Sequence, residues 1–219
     1  MSVWVGLDQG AKSRAHAEHL AEAVLGPLLR GASFACTHVA STPFGHYATS
    51  VQLPSGLSAE QVGGVLERAE RQACAVAIVD NIGERHGGTQ AFISLAREAA
   101  ARGQARKDGR AFRFQGMDRL TGRLSVAELI ERSAIEAVQP LGGVADGQTM
   151  VETMNFVRPY VQDGTLVLAM TPLPDGAFQP FEVQQPHDCC ADHTQAPAML
   201  EESTAGGAPD LTAHDPQPG

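Results

Sequence analysis

Several short stretches of this chain gather acid–base, nucleophilic or metal-ligating side chains. Asp80-Asn81-Ile82-Gly83-Glu84-Arg85-His86-Gly87-Gly88-Thr89 follows an apolar run and precedes an amphipathic one, placing two carboxylates, an arginine and a histidine in one segment. Asp80 and His86 there could exchange protons, while Asn81, Arg85 and Thr89, at the start of a helix, could hold an anionic group. Gly6-Leu7-Asp8-Gln9-Gly10-Ala11-Lys12-Ser13 offers a second carboxylate and a lysine between a predicted strand and a predicted helix. Backbone N–H groups and Lys12 could there meet a phosphate. It departs from the phosphate-binding pattern GxxxxGK[ST], because Ala11 separates the glycine from the lysine and one residue too few lies between the glycines.

Cysteines and histidines give three weaker constellations. Cys36 with His46 could act as nucleophile and base, and Cys36 with His38 could offer two metal ligands on one strand face, although a cysteine in an apolar strand equally suits an inert core position. His16 and His19, with Glu22 beyond, share one side of a predicted helix without the HExxH order. His187-Asp188-Cys189-Cys190-Ala191-Asp192-His193 packs His187, Cys189, Cys190 and His193 into a dense set suited to a divalent metal such as zinc, though it lacks CxxC spacing. Finally, Arg97 to Arg123 holds eight basic residues against three acids and includes Phe112 and Phe114, a composition that could contact a phosphorylated ligand or single strand.

Read as LDQGAKSR, the stretch around Asp8 resembles the LDQGTTSSR opening of glycerol kinase and its sugar-kinase relatives, which implies an aspartate near phosphates. The likeness ends at Arg14. Those kinases join two strands there, whereas Ser13 onward predicts a helix, so the resemblance is set aside.

The charge of the chain is divided. Residues 1–158 hold all 16 basic residues and 16 acidic ones, and residues 159–219 hold nine Asp or Glu with no Lys or Arg. A neutral body argues against general nucleic-acid binding, which needs a net positive face. No window approaches a membrane-spanning apolar run, and four unevenly placed cysteines do not form a secreted disulfide framework. Both features predict a cytoplasmic protein with no membrane contact.

Apolar periodicity supplies the elements that must position these residues. Val3 to Leu7 reads as a strand, Ser13 to Leu29 as a helix, and Ser33 to Ala40 with His46 to Leu53 as a hairpin. Ser58 with Gln61 opens a capped helix running to about Gln72, and the apolar Ala73 to Val79 reads as a covered strand. Strand, helix, strand, strand, helix, strand is the order of a ferredoxin-like half. A polar loop after Asp80, a helix from Thr89 to Ala101 and a strand from Phe112 to Gln115 then suggest a parallel crossover. A helix from Leu124 to Val138, a short helix through Met150 to Phe156 and a strand from Thr165 to Met170 complete the reading. The expectation is an α/β or α+β domain over residues 1–183 with a mixed sheet. Residues 184–219, rich in Pro, Gly and acid, are expected to form a disordered tail.

Functionally these features suggest an enzyme acting on an anionic small molecule. Its ligand would sit where the turns after Val3–Leu7 and Ala73–Val79 meet, with His46 or His86 as general base. Asp8 and Asp80 would orient or exchange protons, and Lys12 and Arg85 would hold the negative group. The alternatives are a non-catalytic interaction or regulatory protein, a homodimer through an exposed sheet edge being one form of it, or a metal-binding protein using the HDCCADH segment.

Overall fold

The computed structural model of the protein describes residues 2–40, 45–54 and 56–184. Strand β1 (Val3–Ala11) alternates Val3, Val5 and Leu7 on one face with Trp4, Gly6 and Asp8 on the other. Helix α1 (Arg14–Leu25) starts where the Ser13 hydroxyl accepts the His16 N–H, and it lays Leu20, Ala21, Val24 and Leu25 onto the first of those faces. The single helix expected through Leu29 is interrupted. Gly26, at a φ of 53°, ends α1, and Pro27 opens a separate short helix, α2 (Pro27–Arg30).

Strands β2 (Phe34–Ala40) and β3 (His46–Leu53) pair antiparallel, with Cys36 opposite Ser50 and Ala40 opposite His46. Helix α3 (Ala59–Arg71) is held by the predicted Ser58/Gln61 capping box and buries Val62, Val65 and Ala69 beside α1. Strand β4 (Ala75–Val79) closes the unit. The order β4-β1-β3-β2 is antiparallel at every junction, the ferredoxin-like arrangement that the element order suggests.

The expected loop after Asp80 is instead a hairpin. Asp80 Oδ1 accepts the N–H groups of Ile82 and Gly83, and this side-chain turn sends the chain back as β5 (Glu84–Gly88) along β4. Its sequence, ERHGG, is polar because β5 is a sheet edge. Gly88 lies so close to β4 that a Cβ there would meet the Cys74 carbonyl oxygen at 1.9 Å.

Helix α4 (Ile93–Gln104), preceded by a 3₁₀ turn over Gln90–Phe92, covers the face opposite α1 and α3. It then leads to β6 (Arg110–Phe114), which pairs with β2. Strands β4 and β6 run in the same sense, but β1, β3 and β2 separate them, so α4 crosses the sheet instead of linking neighbours.

The C-terminal half extends the sheet through β7 (Arg123–Ser125), β8 (Ala137–Pro140), β9 (Met150–Glu152), β10 (Tyr160–Gln162), β11 (Thr165–Pro172) and β12 (Phe178–Pro180). From β6 the order continues β10-β11-β12-β9-β7, with β8 parallel to β11. The helix expected from Leu124 to Val138 is only α5 (Val126–Arg132), because Ser133 turns extended and its hydroxyl bonds back to the Leu129 carbonyl. The helix expected over Met150 to Phe156 is β9 followed by Met154 and Asn155, both at positive φ. A second core containing Phe114, Leu129, Leu168 and Met170 supports this half. Met1–Gln184 forms one compact unit, and no helix among the described residues is long and apolar enough to cross a membrane.

Candidate functional site

Antiparallel pairing decides which predicted groups can meet. Asp8 stands opposite Ala75 at the start of β4, whereas Asp80 follows Val79, which stands opposite Trp4 near the start of β1. Neighbouring antiparallel strands end at opposite edges, and five residues of strand put roughly 16 Å between the two positions. The expected convergence of the two turns is therefore corrected. Asp80 serves its own hairpin, and its second oxygen pairs with Arg85. Asn81 is exposed in the same turn. His86 lies on the edge strand opposite Ala77, its Nδ1 3.6 Å from Glu84, which in turn pairs with Arg97.

At the other end of the sheet the structure joins two predicted residues. β1 does not stop at Leu7 but continues through an irregular stretch, in which Gly10 takes a φ of 72°, to Ala11. This carries the Asp8 carboxylate, fully buried, to 2.9 Å from His46 Nε2 at the start of β3. The other Asp8 oxygen accepts the Gly10 N–H at 2.7 Å, and the Phe92 ring meets the His46 ring edge-on with centroids 6.0 Å apart. A buried carboxylate that fixes an imidazole is the arrangement of an oriented acid–base pair. Lys12 is exposed one residue past β1, and Thr89 follows Gly88, the residue opposite Ala75, so both belong to this end. Thr89 is anchored by its backbone N–H on the Cys74 carbonyl.

A second polar cluster lies under the C-terminal end of α4; it contains the expected neighbours Cys36 and His38, joined by the unexpected Ser50 and Asp108, whereas His46 stands opposite Ala40 and pairs with Asp8 instead of Cys36. Ser50 Oγ lies 2.8 Å from His38 Nε2, and His38 Nδ1 lies 2.9 Å from Asp108 Oδ1. Cys36 Sγ joins at 3.2 Å from Ser50 and 3.3 Å from His38. Arg102 holds Asp108 through both of its oxygens and donates to the Val39 carbonyl. The order of groups is that of a nucleophile, a base and its orienting carboxylate. Yet Cys36, His38 and Ser50 are buried, and the backbone closes over them: a Cβ on Gly103 would meet Ser50 Oγ at 2.1 Å, and one on Gly109 would meet Cys36 Sγ at 2.9 Å. Burial pushes the Cys36 thiol up to about 12 and the His38 imidazole below its ordinary value. The thiol and the imidazole are thus held uncharged in a satisfied interior network, which reaches water only through the Asp108–Arg102 ion pair. Alternation of Cys36 and His38 along β2 was the available signal, but Ser50 and Asp108 come from distant segments.

The basic run from Arg97 to Arg123 is largely consumed internally. Arg102 holds Asp108, Arg106 stacks on Phe34, Arg110 pairs with Glu18 and Glu182, Arg113 donates to the Arg30 carbonyl, and Arg123 pairs with Asp175. Among the described residues no three His, Cys, Asp or Glu side chains are placed to share a metal ion. His16 and His19 pair with no third ligand there, while His187, Cys189, Cys190 and His193 lie outside the described residues. No family model, curated protein or solved structure matches this chain.

Proposed function

We propose that the protein is an enzyme acting on an anionic small molecule at the end of the sheet where β1 finishes. His46 is its acid–base group, Asp8 its positioning residue and Lys12 its contact to negative charge. The observation that carries the reading is the 2.9 Å bond between His46 and a carboxylate whose other oxygen is tied to the Gly10 backbone. A carboxylate so held fixes the orientation of the ring and stabilises its protonated form during transfer. The pair is shielded from bulk water, which would otherwise screen the attraction between carboxylate and imidazolium. Asp80 and Asn81 lie in the turn past the opposite end of β4, and Arg85 and His86 stand alongside β4 on the edge strand, Arg85 paired with Asp80 and His86 near Glu84, so none has a role in this reading.

The test is a thermal-shift screen of the full chain against phosphorylated and carboxylated metabolites, repeated on His46→Gln and Lys12→Gln after circular dichroism confirms folding. At least one compound should stabilise the wild type, lose most of that effect in Lys12→Gln, and be turned over by the wild type but not by His46→Gln. Hits that both variants retain in full, or a screen with no hit, would refute the reading.

A further inference from the structure

Strand β5 leaves one side of its backbone unpaired. Among the described residues it pairs with β4 alone, in a register that runs unbroken from Glu84 opposite Val79 to Gly88 opposite Ala75. The bonds at its two ends show which groups face outwards. The Asp80 N–H donates to the Gly83 carbonyl and the Thr89 N–H to the Cys74 carbonyl, so residues 80 with 83 and 74 with 89 are hydrogen-bonded pairs. Bonded and non-bonded pairs alternate along an antiparallel ladder, which turns the backbone groups of Arg85 and Gly87 towards β4. Glu84, His86 and Gly88 turn theirs onto the free edge.

Open edges are commonly guarded by proline, lysine, a bulge or a charge that a neighbouring strand would leave unmatched. β5 contains no proline, lysine or bulge. Its charged side chains are already matched within the subunit, Glu84 by Arg97 and Arg85 by Asp80.

The sequence of this edge is complementary to itself. Antiparallel pairing with a second copy about His86 sets Glu84 opposite the partner's Gly88, Arg85 opposite the partner's Gly87 and His86 opposite the partner's His86. Only this register gives Glu84, His86 and Gly88 each an outward-facing partner, and each such pair exchanges two N–H···O bonds. A slip of one residue sets outward-facing groups against inward-facing ones, and a slip of two leaves Glu84 or Gly88 past the end of the opposing strand. The side chains suit the same register. Each long charged residue meets a glycine, so no like charges stand directly opposite each other, an arrangement that destabilises sheets. Ile82, 85% exposed in the turn before β5, comes towards the partner's chain beyond Gly88 and adds apolar burial to the ladder. We propose that the protein dimerises through β5, the sheet continuing into a second copy across a two-fold axis at His86.

This interface does not involve the His46 pair, and its test is independent of catalysis. Analytical ultracentrifugation of the full chain from about 1 to about 500 μM should show a reversible monomer–dimer equilibrium with a Kd of about 1 to 100 μM, as suits a short polar ladder. His86→Pro removes an outward N–H and no bond to β4, so it should keep its circular dichroism spectrum and weaken dimerisation roughly a hundredfold. His86→Glu sets like charges against each other on the axis and should weaken it roughly tenfold, which decides the matter if the proline variant fails to fold. Val144→Lys, at a 90% exposed apolar position between β8 and β9, should leave the equilibrium unchanged. Amide exchange followed by NMR should slow at Glu84, His86 and Gly88 as the protein is concentrated. A chain that stays monomeric throughout that range would overturn the proposal. So would a dimer that persists in His86→Glu and in a folded His86→Pro, which marks a different surface.

Discussion

Cys36 lies 3.3 Å from His38 and 3.2 Å from Ser50, distances at which an accessible thiol would be activated by its base. Burial reverses the outcome, because the thiolate loses its hydration and the pKa rises to about 12. Cys74 is raised to about 12 as well, first by burial and then by the nearby Asp8 charge. Both thiols should therefore resist iodoacetamide in the folded chain at about pH 8 and react fully once denatured. Peptide mass spectrometry reads this directly, and native labelling of Cys36 at the denatured rate would contradict it. The same residues mark what the sequence discloses at this scale. Asp8 and His46 stood out by type, but their partnership spans 38 positions and depends on β1 running past a polar Asp-Gln-Gly that reads as a turn. Ser50 and Asp108 gave no sign, since a serine within a strand and an aspartate among arginines are ordinary until the fold brings them together.

Helix α4 presents Ala96, Ala99, Ala100 and Gly103 to the sheet, and these small residues let its backbone approach closely. A Cβ on Gly6 would fall 1.8 Å from the Ala96 carbonyl oxygen, whereas one on Gly103 would meet the Ser50 and Trp4 side chains at 2.1 and 2.8 Å. Alanine at 103 should gain about 1 kcal/mol in helix propensity, but overpacking costs about 1 to 3 kcal/mol, so Gly103→Ala is expected to destabilise. Gly6→Ala should be worse, because a backbone oxygen cannot rotate away, and loss of a stable fold is the expected extreme. Urea midpoints for both variants settle the ranking, and a Gly6→Ala protein as stable as wild type would show that α4 does not sit where described. At this scale the sequence was most informative for the first six elements, whose periodicities and caps are local. It failed at β5, because a polar, glycine-rich edge strand carries no alternation, and at β8 and β9, where short strands are defined by partners rather than by their own residues.

Acid sensitivity belongs to the molecule as a whole, because the His38 network ties β2, β3, the end of α4 and the turn before β6 into one unit. Burial holds the His38 imidazole below its ordinary 6.5 against the opposing pull of Asp108. Asp108 is pushed up by burial, but the hydrogen bonds from Arg102 and His38 outweigh this and leave it below its ordinary 3.8. Both groups bind protons less readily when folded than when unfolded, so both contribute stability that is present above the unfolded value and lost as pH falls. The His38 share should fade first, beginning near 6.5, and the Asp108 share only below about 3.8. Protonating His38 also adds a positive charge beside Arg102, opposed by the carboxylates of Asp108 and Glu98. The urea midpoint of the wild type should therefore drop between about pH 7.5 and about pH 5.5. His38→Gln should start lower, having lost its bonds to Ser50 and Asp108, but fall less over the same interval. An equal fall in both proteins would remove His38 as the source and leave the remaining histidines to account for it.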